Sequence, residues 1–407
     1  HQGRAAGISM LLRMSLTGRS TTGVVIALGT AQTVSWASTY YLPAVLATPM
    51  AADLGISPVT VFAAFSAAMV VSAIVGPWAG MMIDRHGGRG ILIASNLIFA
   101  SGLACMALAQ GPVLLWLGWR IIGLGMGIGL YEAAFSTLAC IYGREARSPI
   151  TGITLIAGFA STVGWPLSAL MEVHYGWRVA CFGWAGLHLL LALPLNAWLP
   201  AGNMAVPAAS AATAAAGKAV PSRARFTMVL LAFVFAVTWF TSTAMAAHLP
   251  RLLEAAGATT AVAVGAGALI GPAQVAARIL EFTLLRRFHP LVSTRLATLT
   301  HPIGAAVLLW LGAPGAFAFA FLHGAGNGVL TIAKGTLPLA LFGPVGYGLT
   351  QGLIGGPGRA LQAAAPLIFG FALDRYGVHA IWLTSGLGIL APLALLCIRA
   401  EQQAQQP

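Results

Sequence analysis

The stretch Gly80-Met81-Met82-Ile83-Asp84-Arg85-His86-Gly87-Gly88-Arg89 is a short polar turn between two apolar segments. Each flanking segment has about the 20 residues that a helix needs to cross the hydrocarbon core of a bilayer. Glycines allow close helix packing and chain reversal, an aspartate can cap a helix end, and arginines favour the cytoplasmic side. The stretch therefore indicates a helical hairpin whose tip lies at the cytoplasmic surface of a membrane.

The composition of the whole chain is that of an integral membrane protein. Of its 407 residues, 58% are hydrophobic and only 7% are charged, whereas about a quarter are charged in soluble globular proteins. Apolar runs recur along the whole length, separated by Gly, Pro and charged clusters. We predict an all-α integral membrane protein with twelve transmembrane helices, at residues 22–48, 59–83, 90–110, 113–141, 150–172, 177–199, 226–249, 259–285, 294–312, 315–341, 349–373 and 378–398.

The net charge of +12 is better explained by membrane topology than by nucleic-acid binding. With a cytoplasmic amino terminus, only three basic residues fall outside: Arg178, Arg251 and Arg375. This is the positive-inside bias, and it predicts that both termini are cytoplasmic. The cytoplasmic segments then hold Arg4, Arg13, Arg19, Arg85, Arg89, Arg144, Arg147, Lys218, Arg223, Arg225, Arg286, Arg287, Arg295 and Arg399.

The two halves of the chain repeat each other. Gly123-Leu124-Gly125-Met126-Gly127 aligns with Gly324-Ala325-Gly326-Asn327-Gly328, and Ser35-Trp36-Ala37-Ser38-Thr39 aligns with Thr238-Trp239-Phe240-Thr241-Ser242. Such repeats place a binding site near the middle of the membrane, where the halves face each other. We therefore predict two pseudo-symmetric six-helix bundles at residues 22–199 and 226–398, flanked by cytoplasmic segments at 1–21, 200–225 and 399–407. We assign no function to the first dozen residues, which begin His1-Gln2.

The turn and the repeat together resemble a known family. The pattern G-x-x-x-D-R-x-G-x-R in residues 80–89 is similar to the loop between helices 2 and 3 of the major facilitator superfamily of secondary transporters. Arg120 followed by Gly123, Gly125 and Gly127 is similar to the helix 4 signature of its proton-coupled members. The resemblance implies a carrier that works by alternating access, with Arg120 in proton coupling and with gating residues Gly80, Asp84, Arg85 and Arg89.

Six charged residues lie inside the predicted spans, where an unpaired charge is costly. They are four cations and two acids: Arg120, Arg278, Lys334, Arg359, Glu132 and Glu281. The excess of positive charge favours an anionic substrate, because arginine offers a bidentate fork and lysine a point charge to an anion. We assign proton coupling to Glu132 and Glu281, the acids of the set.

Arg359 is the strongest candidate for substrate binding. It follows Gly355-Gly356-Pro357-Gly358, a run that predicts a discontinuous helix near mid-membrane, and Gln362 lies one turn further on. A structural ion pair is the alternative role for Arg359. The remaining substrate-binding candidates are Asn327 and the aromatic residues Trp36, Tyr40 and Trp239, for which helix packing or interface anchoring is the alternative.

Gln274 and Arg278 resemble the acid-x-x-x-Arg arrangement of helix 8 in monocarboxylate transporters. The acid position holds an amide here, so Gln274 cannot titrate and Glu281 would have to carry the proton. The alternative is an ion pair of Arg278 with Glu281 alone, three residues apart on a helix. In the repeat, Ala133 aligns with Lys334, so we also predict an ion pair of Glu132 with Lys334 that closes the cytoplasmic side, with two unrelated charges as the alternative.

The function that these features favour is proton-coupled transport of a small, monocarboxylate-like organic anion by a monomer in the inner (plasma) membrane. We expect no cofactor, metal or nucleic acid. The alternative is a proton-driven efflux pump for drugs or other toxic compounds, although residues 158–167 depart from the G-x-x-x-G-P-x-x-G-G pattern of drug antiporters. A membrane-embedded enzyme or a channel is remote, because the chain has no H-E-x-x-H, G-x-S-G or N-P-A sequence.

Overall fold

The computed structural model describes residues 19–201 and 222–398, and these residues are helical throughout apart from short connections. The predictions for residues 1–18, for most of the linker at 200–225, and for the tail at 399–407 lie outside the described residues. The first half contains nine helices in its described part, in the order α1 Thr21–Ser38, α2 Pro43–Leu54, α3 Pro58–His86, α4 Arg89–Ala107, α5 Pro112–Gly129, α6 Tyr131–Tyr142, α7 Arg147–Ala157, α8 Ala160–Leu187 and α9 Leu193–Trp198.

The second half repeats this succession with fewer interruptions. Its helices are α10 Ser222–Ala255, α11 Thr260–Thr283, α12 Pro290–Leu311, α13 Ala316–Phe342, α14 Tyr347–Tyr376 and α15 Ile381–Leu396. Two of the helix ends are recognisable from the sequence. A proline lies in the first turn of α12, where its missing N–H is not needed, and a glycine directly follows α13.

Seven helical stretches in the described residues are long and apolar enough to cross a membrane. Two of them, Pro112–Trp198 with 87 residues and Tyr347–Leu396 with 50, exceed the length of one crossing, which takes about 20 residues. The twelve predicted spans are mostly helical, although those at 22–48, 113–141 and 150–172 are each interrupted between two helices. The number of crossings and the side on which the termini lie stay predictions.

Each half has its own hydrophobic core. In the first half, Trp119, Trp184 and Phe99 are fully buried among the side chains of α1 to α5 and α8. In the second half, Phe319 and Phe369 occupy the corresponding core. Each half therefore has a core of its own, while a further core cluster brings Leu339 and Tyr347 of the second half against Ile83 and Phe135 of the first.

The closest approach of the two bundles is between α3 and α14. A Cβ atom added to Gly80 would lie 1.9 Å from the carbonyl oxygen of Gly348, and one added to Gly348 would lie 2.3 Å from the carbonyl oxygen of Gly80. Only glycine permits backbones this close. The glycine of the predicted hairpin turn thus serves packing between the bundles.

The helix break lies at a different place from the predicted one. The Gly355-Gly356-Pro357-Gly358 run does not interrupt α14, which continues from Tyr347 to Tyr376, so the prediction of a discontinuous helix there was wrong. The break lies instead between α5 and α6, where Leu130 has extended backbone angles. A second change of direction occurs inside α8 at Gly176, whose φ is 82°.

Candidate functional site

A buried ion pair joins the two bundles. The Nη2 atom of Arg359 lies 2.6 Å from Oε2 of Glu132, and their side chains are 5% and 18% exposed. Arg359 is twelve residues into α14, or about 18 Å from its start at 1.5 Å per residue. The pair therefore lies deep within the helices and connects α6 of the first half to α14 of the second.

The break at Leu130 positions Glu132. Because α6 begins at Tyr131, Glu132 lies in its first turn, where the partial positive charge of a helix amino terminus stabilises a carboxylate. The break frees the carbonyl oxygen of Gly129, and the side-chain amide of Gln32 donates a hydrogen bond to it at 2.7 Å. Gln32 was not predicted, since no sequence signature links it to a break almost a hundred residues later.

Two tryptophans flank the Arg359 guanidinium. Its Cζ atom lies 6.0 Å from the ring centroid of Trp36 and 5.5 Å from that of Trp239. These are the two tryptophans that the internal repeat aligns. Gly358 makes room for one of them, because a Cβ there would lie 2.5 Å from the Trp239 ring.

Both indole N–H groups are buried and have no hydrogen-bond partner among the described residues. A buried polar group without a partner is costly, so such donors point to a ligand that carries acceptors. The structure thus brings three predicted substrate-binding residues together at one site.

Lys334 lies beside this cluster, and its predicted partner was wrong. Its Nζ atom is 4.2 Å from the ring centroid of Trp239, a cation–π distance. Glu132 forms its ion pair with Arg359 instead. The sequence alignment of Ala133 with Lys334 was too coarse to decide this, because the break at Leu130 changes the direction in which Glu132 points.

Tyr40 and Gln362 link the bundles on the other side of the ion pair. The Gln362 amide donates to the Tyr40 hydroxyl at 3.1 Å, and that hydroxyl lies 3.1 Å from the Thr243 hydroxyl. Tyr131, adjacent to Glu132, packs against Trp36 with ring centroids 4.8 Å apart. Tyr131 was missed by sequence reasoning, although its position next to a buried acid was a usable signal.

Arg278 forms a second contact between the bundles. Arg278 donates to the carbonyl oxygen of Thr154 at 3.1 Å and to the Gln274 side chain at 3.3 Å. A Cβ on Gly158 would lie 2.1 Å from the Arg278 guanidinium, so Gly158 makes room for the arginine. The Nε atom of Arg278 is buried and has no partner in the described part of the chain.

Glu281 does not pair with Arg278, so the alternative ion pair within that helix is excluded in this structure. Its Oε1 atom lies 3.2 Å from Nη2 of Arg147, the first residue of α7, and accepts a hydrogen bond from Ser293 at 3.4 Å. Arg147 also donates to the carbonyl oxygen of Phe288 at 2.9 Å. Glu281 is thus held at the end of α11 and connects the bundles there.

Asp84 caps a helix of the opposite bundle. Its two carboxylate oxygens accept hydrogen bonds from the backbone N–H groups of Gly348 and Leu349, at 2.8 and 2.9 Å, in the first turn of α14. Arg85 is exposed, and Arg89 donates to the carbonyl oxygen of Leu199 in its own half. Of the predicted gating residues in the turn, Gly80 and Asp84 therefore contact the other half.

Two predicted residues lie apart from the Arg359 cluster. Arg120 is exposed, and its guanidinium lies 5.8 Å from the ring centroid of Trp116. Asn327 lines a cavity of about 30 Å³ inside the second half, together with His301 and His323. The two imidazoles are hydrogen-bonded through their Nδ1 atoms at 3.0 Å.

Comparison with known proteins gives a consistent family. Residues 28–361 match the family model described as Major Facilitator Superfamily. The structure of the human organic anion transporter MFSD10 (TETRAN) superposes with a TM-score of 0.65, covering 93% of this chain and 100% of that chain, at 16% sequence identity. At that identity the likeness is one of fold.

Relatives by sequence carry different names. A Thermoproteus tenax protein named as an uncharacterized 38 kDa protein in 23S RNA operon is 28% identical over 348 residues, 84% of this chain and 86% of that one. The 4-hydroxybenzoate transporter PcaK of Pseudomonas putida is 29% identical over 157 residues, 38% of this chain and 35% of PcaK. The multidrug resistance protein MdtH of Cronobacter sakazakii is 29% identical over 148 residues, 36% of each chain. The matches to PcaK and MdtH thus span about a third of those proteins.

Proposed function

Because the chain belongs to the major facilitator superfamily of membrane transporters, we propose that it carries a small organic anion together with protons, by alternating access. The minimal ligand is a monocarboxylate, since one carboxylate matches the fork of one arginine. The 4-hydroxybenzoate named for PcaK is an anion of this kind. The family and the fold are those of transporters rather than enzymes.

The observation that carries this proposal is the Arg359–Glu132 ion pair between the bundles. Among the described residues, Arg359 has one carboxylate partner, and a substrate carboxylate can take the place of that partner. The unpartnered indole N–H groups of Trp36 and Trp239 supply further donors beside it. Arginine, two indoles and the Gln362–Tyr40 hydrogen bond form a site suited to a planar or compact anion.

Proton coupling follows from competition for Arg359. With Glu132 ionised, the ion pair occupies the guanidinium and the substrate binds weakly. A proton on Glu132 removes its charge, weakens the pair and frees Arg359 for the substrate carboxylate. One proton and one negative charge then cross together, with binding of each favouring binding of the other.

We propose that residues 22–199 and 226–398 form the two moving bundles of twelve crossings, joined by a cytoplasmic linker at 200–225. Both termini then lie in the cytoplasm, and the protein is a monomer in the inner (plasma) membrane. In this orientation the contacts of Asp84 with α14 and of Arg147 with Glu281 lie on the cytoplasmic side. They favour the conformation in which that side is closed.

The test of coupling is Glu132→Gln in proteoliposomes, with radiolabelled benzoate and lactate as probes. The amide imitates the protonated acid, so Arg359 stays free. We expect counterflow exchange of labelled for unlabelled anion to persist, while uphill uptake driven by an imposed pH gradient is lost. Binding affinity should also stop depending on pH.

Glu254→Gln is the matched control, because Glu254 is exposed and hydrogen-bonded to Thr260 at the far end of α10. It should leave uphill uptake unchanged. Full uphill uptake by Glu132→Gln would show that the proton travels by another route. Uptake that is stimulated by neither a pH gradient nor trans-anion in the wild-type protein would contradict the proposed transport itself.

Efflux of drugs or other toxic compounds is the second candidate function. A cluster of aromatic rings supports it, since Trp36 makes edge or tilted contacts with Tyr40, Tyr41 and Tyr131 and such a cluster suits a flat apolar compound, and MdtH is named a multidrug resistance protein. The charge of the ligand separates the two functions. An anion carrier loses its ligand in Arg359→Ala, whereas a carrier of cationic drugs should bind more tightly once that positive charge is removed.

A further inference from the structure

Lys334 is a partly buried cation that the transport mechanism above does not use. Its ammonium group forms no hydrogen bond or ion pair with any of the residues that the structure describes, and its contact is the face of Trp239, 4.2 Å from the ring centroid. A cation at such depth is costly unless a partner or a wet cavity compensates it. Trp239 stabilises Lys334 only in part, because a cation–π contact is weaker than an ion pair.

The charges around Lys334 do not balance. It lies within electrostatic reach of two other cations, Arg278 and Arg359, and of one acid, Glu132. Glu281 is already paired with Arg147. These four charged groups therefore carry a net charge of two positive units when all are ionised.

Lys334 and Arg359 lie close enough for one small molecule to reach both. They contact the same indole ring, with the Arg359 Cζ atom 5.5 Å and the Lys334 Nζ atom 4.2 Å from the Trp239 centroid. The two cationic centres are therefore less than about 10 Å apart, which is the limit that the two distances set. The unpartnered N–H group of Trp239 belongs to this same ring.

We propose that Lys334 binds a second anionic group of the substrate, so that the preferred cargo is a compact dianion with one carboxylate on Arg359 and the other on Lys334. This inference rests on the proposed anion transport and specifies its substrate class. Two negative charges compensate the excess that the protein leaves in the site. A monoanion satisfies Arg359 alone and leaves Lys334 without a partner.

The test uses purified protein and matched pairs of anions that carry one or two carboxylates on the same ring or on the same length of chain: benzoate with isophthalate, and butyrate with succinate. Benzamide serves as the neutral control. Ligand affinity is taken from the concentration dependence of the thermal unfolding temperature, since a ligand selective for the folded state stabilises it logarithmically. We expect each dianion to bind at least about tenfold more tightly than its monoanion, as close charge pairs allow.

Substitutions of Lys334 test its own contribution to dianion binding. Lys334→Met keeps most of the length of the side chain without its charge, and should bring the affinity for the dianion within about threefold of that for the monoanion. Lys334→Arg should retain the preference. Arg286→Met is the matched control, because Arg286 is an exposed cation stacked on Phe282, and it should not change the ratio.

The outcomes distinguish a failure of the Lys334 assignment from a failure of the proposed anion transport. Equal affinities for monoanion and dianion in the wild-type protein would overturn the assignment of Lys334 without needing any variant. An unchanged ratio in Lys334→Met would overturn it as well. If no anion of either pair stabilises the wild-type protein, or if benzamide does so equally well, the proposed anion transport is itself wrong.

Discussion

At the scale of single residues, Arg359 has two roles that the sequence presented as alternatives. It is half of an ion pair, and it is the cation that the flanking indoles surround. The two roles are compatible because a pair that must open for the substrate is a means of coupling. Under the proposed function, the substrate carboxylate competes with Glu132 for the one guanidinium.

Arg359→Ala should abolish anion binding and also lower stability by about 3 to 5 kcal/mol, because it leaves the Glu132 carboxylate buried without a partner. Arg359→Lys should recover stability better than binding, since lysine keeps the charge but loses the bidentate fork. Ligand titration and thermal unfolding measure the two effects separately.

Arg251→Ala serves as the control for Arg359→Ala, because Arg251 forms an exposed ion pair with Asp374. Exposed pairs contribute about 0 to 1 kcal/mol, so both measurements should stay close to wild type. Normal anion binding by a folded Arg359→Ala protein would show that the anion binds elsewhere.

Sequence reasoning located Arg359, Trp36 and Trp239 at one site but did not find how the charges pair. The acids and cations are visible as rare residues in apolar runs, which is why their importance was predictable. Their partners depend on the rotation and the breaks of helices far apart in the chain. Glu132 was therefore given the wrong partner in Lys334, and Arg147 was not considered as a partner for Glu281.

At the scale of helices, two features of the sequence were sufficient to predict predominantly helical structure in all twelve segments. They are the length of the apolar runs and the glycines, prolines and charged residues that separate these runs. The breaks were not predictable in the same way. Gly and Pro at 355–358 suggested an interruption, yet α14 is continuous and packs closely against α3. Tertiary contacts stabilise that helix, whereas Leu130 carries no local signal for the break between α5 and α6.

The cap that Asp84 provides for α14 predicts a conformational phenotype. Asp84→Asn retains at most one carbonyl acceptor for the two N–H groups of Gly348 and Leu349, and removes the negative charge from the helix amino terminus. We expect transport to slow while substrate affinity stays within about threefold, since the contact is remote from Arg359. Transport rates and equilibrium binding should therefore separate in this variant.

Asp53→Asn is a suitable comparison for Asp84→Asn. Asp53 accepts hydrogen bonds from Arg178 and Trp177 within its own half, and these hold the pKa of the Asp53 carboxyl below its usual range. Within the part of the chain that the structure describes, its contacts lie in its own half, so the cycling rate should stay the same. A large loss of affinity in Asp84→Asn with normal cycling would contradict the assigned role.

The glycine contact between α3 and α14 gives an independent prediction. Gly348→Ala would place a Cβ 2.3 Å from the carbonyl oxygen of Gly80, so the two helices must separate. This should weaken the closed side and increase the accessibility of a cysteine introduced there to a water-soluble reagent. Gly76→Ala is the matched control, since its nearest neighbour, the Cα atom of Gly352, is 4.0 Å away. Equal accessibility in the two alanine variants would show that the close approach is not needed for closure.

At the scale of the whole molecule, the contacts between the bundles show the internal symmetry. Asp84, near the end of the second long helix of the first half, caps the start of α14 in the second half. Glu281, near the end of the corresponding helix α11, pairs with Arg147 at the start of α7 in the first half. In both contacts, an acid of one bundle binds the beginning of a helix in the other. The two acid contacts therefore lie on corresponding helices of the repeat that the sequence predicts.

This arrangement leads to a prediction about the equilibrium between conformations. Each contact exists only while the proposed cytoplasmic ends are together, so its free energy favours the outward-facing state. Glu281→Gln and Arg147→Gln should each shift the population toward the inward-facing state. The shift in the double variant should be smaller than the sum of the two single shifts, because both substitutions remove the same ion pair. Asp84→Asn combined with Glu281→Gln should shift it further than either alone, because the two contacts lie on opposite sides of the symmetry axis. Exchanging the charges, as Glu281→Arg with Arg147→Glu, should restore part of the outward-facing population.

Distances between spin labels at the ends of α3 and α11 measure these populations directly. Unchanged distance distributions in both single variants would mean that the pair is present in both conformations and only stabilises the fold, in which case thermal unfolding, not the conformational equilibrium, should respond to its loss.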